Sequence, residues 1–424
     1  MNFLSLSKAE LSSLKADLEE KYSSYKEKGL KLNMSRGKPS PKQLDLSNDL
    51  LTKGMGSYYA ADGTDARNYG ILEGLPETKQ FFADTLGLNP DNIIVGGNAS
   101  LNLEYDALIR CWVFGSCGEK PWSALPEVKF ICLTPGYDRH FGMLQDLGIK
   151  MISVELKEDG PDMDKIEEIV KNDSSVKGIF CVPLYSNPTG TCYSDENVRR
   201  LAAMETAAKD FKIFWDNAYG IHHLYDEGEK LADIFKLCEE YGTEDRVYYF
   251  FSTSKITHPG SGISFVSASA PMIKEIKAHM NYQTIGHDKI NQLRILHFFE
   301  NNGGITAHMK KHAKILAPKF ELVLNKFNEE FKDSGILSWI EPKGGYFISV
   351  NTLEGCAKAT VALCKEAGLT LTGAGATYPY GKDPRDSNIR IAPSYPEIDE
   401  LETAVEVFCV CCKLAAVNKL LESN

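Results

Sequence analysis

The spacing of apolar positions changes along this chain, and each change marks a different kind of element. Residues 7–28 carry the three-to-four-residue period of an amphipathic helix. Ser7 with Glu10 predicts a capping box at its start, and Gly29 predicts its end. A loop follows, Met34-Ser35-Arg36-Gly37-Lys38-Pro39-Ser40-Pro41. Between about residues 90 and 270, short apolar runs alternate with helical patterns. The runs are Asn92–Val95, Lys129–Leu133, Lys150–Val154, Gly178–Val182, Lys212–Trp215 and Val247–Phe251; helical stretches such as Asp164–Lys171 and Asp195–Lys209 lie between them. Such alternation predicts a mostly parallel α/β sheet with helices on both faces. Beyond residue 295 the pattern becomes a long helix over 305–330, a strand over Gly344–Val350 and a final helix over Glu397–Leu421. This smaller α+β unit is expected to take in the N-terminal helix, because chain ends tend to pack together. The expected division is residues 1–48 with the small unit, 49–295 as the large unit and 296–424 as the rest of the small one.

Composition narrows the class. With 424 residues, 43% hydrophobic and 25% charged, the chain is an ordinary globular protein of two or three domains. Its 58 acidic and 47 basic residues give a net charge of −11, which repels phosphodiester backbones. No basic block offsets this, so no nucleic-acid partner is expected. No apolar run reaches transmembrane length, and the N-terminus lacks the basic start and apolar centre of a secretory signal. Eleven scattered cysteines fit a reducing cytoplasm. The cluster Cys409, Cys411, Cys412 reads as small apolar side chains buried in a helix rather than as a metal or redox site. His308 and His312, spaced i, i+4 among Lys310, Lys311 and Lys314, read as part of a solvated helix face rather than as a metal pair.

In parallel α/β sheets, ligands bind beyond the carboxyl ends of the strands. Four runs end in unusual residues: Thr134-Pro135-Gly136-Tyr137, Asn187-Pro188-Thr189-Gly190, Asp216-Asn217-Ala218-Tyr219 and Ser252-Thr253-Ser254-Lys255. Each alone is explained as a turn, a helix cap or a solvated lysine. Together they match one chemistry, that of pyridoxal 5′-phosphate (PLP). That cofactor needs a lysine for a Schiff base, a carboxylate against the pyridine nitrogen and neutral donors at the phenolic oxygen. It also needs an aromatic face to stack on and N–H and hydroxyl groups around the phosphate. Lys255, Asp216, Asn187 with Tyr219, Tyr137 and Gly97-Asn98-Ala99-Ser100 meet those needs by type.

The chain resembles the fold-type I PLP enzymes of the aminotransferase class I/II superfamily, and within it the bacterial type Ic aspartate aminotransferases. The resemblance is carried by SRGKPSP (35–41), RNYGILEGLPE (67–77), GGNASL (96–101), TPGYDRHFG (134–142) and SNPTG (186–190). It continues through DNAY (216–219), STSK (252–255), KGGYF (343–347) and AGATYPYGKDPRDSNIRIAPS (374–394). It implies a large domain with a mostly parallel, seven-stranded sheet and a smaller α+β domain. It also implies the roles. Lys255 is the Schiff-base lysine and proton carrier, and Asp216 pairs with the pyridine nitrogen. Asn187 and Tyr219 hold the phenolic oxygen, and Tyr137 stacks on the ring. Gly97, Asn98 and Ala99 form the phosphate cup, with Ser252 and Ser254 adding hydroxyls. Tyr69 reaches the phosphate of the neighbouring subunit, which makes the expected assembly a homodimer with shared sites. Arg390 clamps the substrate α-carboxylate, the loop at Gly37 closes over the substrate, and Phe347 lines the pocket.

Many relatives place a phosphate-gripping arginine eight residues after the lysine, whereas this chain has Ile263 there. The expected reaction moves an amino group from L-aspartate to 2-oxoglutarate by a ping-pong mechanism. A distal carboxylate then needs a second cation, for which Arg36, Lys38, Arg139 and Lys289 are candidates. Alternatives on the same framework are an aminotransferase for alanine or aromatic amino acids, a PLP-dependent lyase, or a MocR-like PLP-binding regulator.

Overall fold

The computed structural model describes residues 2–53 and 55–423. Its strands, numbered along the chain, are β1 (Leu32–Asn33), β2 (Ile93–Val95), β3 (Lys129–Thr134), β4 (Lys150–Lys157), β5 (Gly160–Pro161), β6 (Val176–Cys181) and β7 (Lys212–Asp216). They continue with β8 (Val247–Ser252), β9 (Ser264–Ser267), β10 (Leu337–Trp339), β11 (Ile348–Thr352), β12 (Leu369–Thr370) and β13 (Asn388–Ile391). The main sheet has the order β2-β9-β8-β7-β6-β3-β4-β5. Strands β4, β3, β6, β7 and β8 are parallel neighbours, and β9 runs antiparallel to both β8 and β2. The strand beyond the expected seven is β5, a two-residue hairpin return on β4. Its Pro161 cannot donate to a ladder, which suits an edge position.

Strands β6, β7 and β8 are buried at every position. Both faces are covered, as parallel sheets require. Alternate residues divide between the faces. Ile179, Ile213, Trp215 and Phe251 pack on one side, and Phe130, Phe180, Phe214 and Phe250 on the other. From β3 the chain passes to β4 on one side and returns to β6 on the other. The carboxyl ends of β3 and β6 therefore flank a topological switch point, where a crevice opens.

A second, antiparallel sheet has the order β10-β11-β13. The helices Gly304–Phe331, Ala357–Glu366 and Ile398–Ser423 share its apolar core, as does the N-terminal helix Lys8–Glu27. That first helix begins with the expected capping box. Ser7 Oγ accepts from the Glu10 amide, and Glu10 Oε2 accepts from the Ser7 amide at 2.7 Å. Gly29 follows its end with φ +59. Tyr25 donates to Glu406 at 3.1 Å, tying the first helix to the last. Cys409, Cys411 and Cys412 are buried free thiols in this core. Cys409 and Cys412 have Cys-x-x-Cys spacing, but their surroundings are apolar.

Three expectations need correction. The helix expected to reach Lys209 ends at Ala203. Beyond it, backbone groups go to tertiary partners: Arg246 donates to the Met204 carbonyl at 2.7 Å, and the Ala207 amide donates to the Val170 carbonyl at 2.8 Å. The strand expected from Gly344 begins at Ile348. A turn precedes it, with Gly345 at φ +79, and a Cβ on Gly344 would meet the Tyr185 ring at 2.4 Å. Most importantly, His308 and His312 are not solvated but buried. Both Nε2 atoms approach the Ile256 carbonyl, at 2.8 and 2.9 Å. Gln43 Nε2 donates to His312 Nδ1 at 3.1 Å and to the Tyr346 hydroxyl at 2.9 Å. The lysines around the pair concealed this inward face.

This network requires a neutral His312, because a proton on Nδ1 would face the Gln43 amide donor. Burial first, and His308 second, push His312 down to about 3. The unfolded imidazole titrates near 6.5. As pH falls from about 6.5 towards 3, the unfolded chain takes up a proton that the folded chain refuses, so stability is lost across that window. The loss is up to about 1.4 kcal/mol per pH unit. Urea unfolding at pH 7 and pH 5 is expected to show a smaller stability difference for His312→Gln than for the natural chain.

Candidate active site

Strand β7 ends in Asp216, a residue that is 4% exposed. Its Oδ2 lies 3.5 Å from His140 Nε2, and its Oδ1 is buried with no hydrogen-bond partner. A buried carboxylate oxygen left unpaired is costly, so a donor is owed at that position. Lys255 follows β8 after a short turn. Its Nζ lies 4.6 Å from the centre of the buried Tyr219 ring. The Lys255 carbonyl accepts from the Tyr346 hydroxyl at 3.2 Å, and the next carbonyl, Ile256, takes the two imidazoles. Burial raises the Tyr219 phenol above its ordinary range, and Asp216 adds to this.

The helix Ser100–Phe114 opens at Ala99, which is extended and offers no side-chain cap. Its first N–H groups thus face the site without a capping side chain, the usual setting for an anion. Space around Gly97 is open: a Cβ there would meet nothing within 4 Å. Ser254 Oγ donates to the Asn98 carbonyl at 2.7 Å, and Ser252 Oγ donates to Ser254 Oγ at 3.0 Å. The structure therefore brings Gly97, Asn98, Ala99, Ser252 and Ser254 together. Tyr69 is 83% exposed. Ile263 sits in the apolar core, so no cation stands at that position.

Tyr137 precedes the helix Asp138–Asp146 and meets the His140 ring edge-on, with centroids 5.0 Å apart. Burial raises its phenol. Arg390, on β13, reaches across to the end of the main sheet. It donates through Nη1 to Asn187 Oδ1 at 3.2 Å and to Asp138 Oδ1 at 3.3 Å, and through Nη2 to Thr372 Oγ1 at 3.3 Å. Its guanidinium lies 4.8 Å from the Phe347 ring centre, and its Nε is buried without a partner. Gly37 packs against the tip of that ring, where a Cβ would come within 2.4 Å of Phe347 Cζ. Arg390, Asn187, Phe347 and Gly37 thus form one wall.

A family model described as aspartate amino-transferase matches residues 6–424. The chain belongs to the aspartate aminotransferase family. An aspartate aminotransferase of Corynebacterium glutamicum is 46% identical over 404 residues, covering 95% of this chain and 93% of that one. A crystal structure of an aspartate transaminase from the same species superposes with a TM-score of 0.96 at 43% identity, covering 99% of both chains. At the level of fold alone, an α-aminoadipate aminotransferase of Thermus thermophilus, solved with N-(5′-phosphopyridoxyl)-L-leucine, gives a TM-score of 0.73 at 19% identity over 93% of this chain and 94% of that one.

Aminotransferases of this fold type I family use PLP, and this aminotransferase carries a donor set that fits it. The unpaired Asp216 Oδ1 suits a protonated ring nitrogen, and the uncapped helix start suits a phosphate. Sequence reasoning had missed several neighbours. Glu104 and His140 lie behind Asp216, and Asp138 and Thr372 hold Arg390. Gln43, Tyr346 and the buried His222 complete the floor near Lys255; burial first, then Lys255, pushes His222 well below its ordinary range. His140 and Tyr346 lay inside the quoted motifs, but Glu104 carried no signal beyond a charge within a helix. A separate groove of about 960 Å³, lined by His223, Tyr225, Met309 and Lys310, contains none of the strand-end residues.

Gly37→Ala is expected to displace Phe347 and loosen the stacking under Arg390. Steady-state kinetics of the aminotransferase should show a KM raised about tenfold, as for a weakened charged hydrogen bond, with the thermal midpoint little changed.

Proposed function

We propose that the enzyme transfers the amino group of L-aspartate to 2-oxoglutarate by a ping-pong mechanism. The observation that carries this reading is the position of Arg390. Its buried, incompletely paired guanidinium stands beside Asn187, in the same crevice as Lys255 and Asp216. A planar fork of donors suits an amino acid's α-carboxylate. The 46% identity to the Corynebacterium glutamicum enzyme supports aspartate as the donor.

When bound, PLP supplies an electrophilic aldehyde and a ring able to accept the electron pair left at the substrate's α-carbon. Residues of this chain do the rest. Arg390 fixes the α-carboxylate and so orients the α-hydrogen. Asp216 would hold a proton on the ring nitrogen through Oδ1. Asn187 and Tyr219 would hold the phenolic oxygen, and Tyr137 would lie against the ring. The Lys255 amine would be the base that takes the substrate's α-proton and the acid that gives it back. Gly97, Asn98, Ala99, Ser252 and Ser254 would hold the phosphate.

The reading extends to the assembly. Tyr69, exposed in one chain, would complete the phosphate site of a second copy, making a homodimer with shared sites. Residues 1–48 and 296–424 would close on 49–295 through the Gly37 loop. For the distal carboxylate, two of the four candidate cations are engaged elsewhere. Lys289 donates to the Gly70 carbonyl at 3.0 Å, and Lys38 lies 3.8 Å over the Tyr395 ring. Arg36 and Arg139 are the remaining choices. No helix among the described residues is long and apolar enough to cross a membrane, and the cytoplasm is the proposed location.

Lys255→Ala is expected to abolish turnover while leaving the fold intact by circular dichroism; retained turnover would overturn the mechanism. Adding L-aspartate to the natural enzyme should remove the visible band of the bound cofactor, and 2-oxoglutarate should restore it. A band that responds only to L-alanine or L-phenylalanine would overturn the aspartate assignment.

A further inference from the structure

Behind Asp216 lies a second buried acid. Glu104, on the helix that opens at the phosphate cup, is 1% exposed; His140 is 3% exposed and Asp216 4%. A single atom, His140 Nε2, lies between the two carboxylates, 3.1 Å from Glu104 Oε2 and 3.5 Å from Asp216 Oδ2. The imidazole cannot turn freely, because it stacks on Phe180 with centroids 4.2 Å apart and planes within 11°. One N–H can serve one acceptor well, and the distances favour Glu104. Asp216 is left with a weak contact on one oxygen and none on the other.

The charge count shows why this matters. Two buried carboxylates beside one imidazole need a proton on that ring, because an unpaired buried charge is expensive. If Glu104 were absent, Asp216 Oδ2, 3.5 Å away, would be the acceptor left for the Nε2–H, and part of the charge that its free oxygen presents to a ligand would be drawn off.

We propose that Glu104 is a positioning residue, which accepts the hydrogen bond of the His140 Nε2–H and so leaves Asp216 charged and free to bind the pyridine nitrogen of PLP. This rests on the reading of Asp216 as the partner of the ring nitrogen. The groups facing the cluster are Lys255 after β8, Tyr219 after β7 and Tyr137 beside His140. Burial lowers the affinity of His140 for a proton, but hydrogen bonds to Asp216 and Glu104 outweigh this and push it up to about 9. Burial first, and Asp216 second, raise Glu104.

The test begins with the cofactor-free protein carrying isotope-labelled histidine, with the His140 signal assigned by its loss in His140→Asn. In the natural chain the imidazole should stay protonated through pH 8 and half-titrate near 9. In Glu104→Gln its midpoint should fall by about one unit or more, the scale of one lost charged hydrogen bond. PLP should bind that variant about tenfold more weakly. A His140 midpoint at the ordinary histidine value in the natural chain overturns the proposal, and this needs no variant to fold. So does a midpoint that Glu104→Gln leaves unchanged, or unchanged PLP affinity in that variant. Asp216→Asn separates the two readings. If it binds PLP as tightly as the natural chain, the role given to Asp216 fails, and with it the link from Glu104 to the cofactor, whatever the His140 titration shows.

Discussion

Arg390 joins the two sheets. Its backbone belongs to β13 of the small sheet, while its guanidinium bonds to Asn187 and Asp138 at the end of the large one. A buried guanidinium must find acceptors, and here they come from three different parts of the chain, with Thr372 as the third. None of the three contacts is short, and Nε has no partner. The group therefore holds the two sheets in register and still has donors to offer. The side chain that ties the sheets is the one that, in the proposed function, meets the substrate's α-carboxylate. The wall that Arg390 and Asn187 form with Phe347 and Gly37 consequently cannot shift at one residue without disturbing the packing of the others.

The floor of the crevice is built on a different constraint. Parallel strands buried on both faces leave only their ends for polar chemistry, and the ends of β7 and β8 carry Asp216 and the turn to Lys255. Each needs support, because polar groups in that setting are costly unless paired. Asp216 is supported from behind by His140 and Glu104. The Lys255 segment is supported by Tyr346 on its own carbonyl and by His308 and His312 on the next. The two supports differ in electrostatics. Against the effect of burial, the two acids push His140 up, whereas burial and a second histidine push His312 down. Opposite environments drive the same side chain in opposite directions.

How much of this was legible in the sequence follows from its physics. The parallel sheet was legible because buried strands are short apolar runs separated by helical patterns. The strand-end residues were legible because polar residues at such positions are unusual, and their order made a family recognisable. The expected helix and strand boundaries failed where backbone groups found tertiary partners, as at Met204 and Gly344. His308 and His312 were misread because a helix's inward face is judged from its neighbours in sequence, and here those neighbours are lysines. Their true partners, Ile256 and Gln43, lie 52 and 269 residues away in sequence. Glu104 was missed for a related reason. A charged residue on a helix reads as solvated until the fold shows an imidazole against it.

Ile263 ties these points together. An arginine at this place would carry formal positive charge to the phosphate, but the position is part of the apolar core beside Phe251 and Phe265. In the proposed function the phosphate would then lean more on dipoles: the uncapped N–H groups after Ala99 and the hydroxyls of Ser252 and Ser254. Such groups are worth more the drier the site, since water screens them less. In the proposed function a site of this design would gain from closing, and the elements that would close it, the Gly37 loop and the sheet carrying Arg390, would also grip the substrate. Affinity for the phosphate end and grip on the carboxylate end would thereby be linked through one packing arrangement, centred on Phe347.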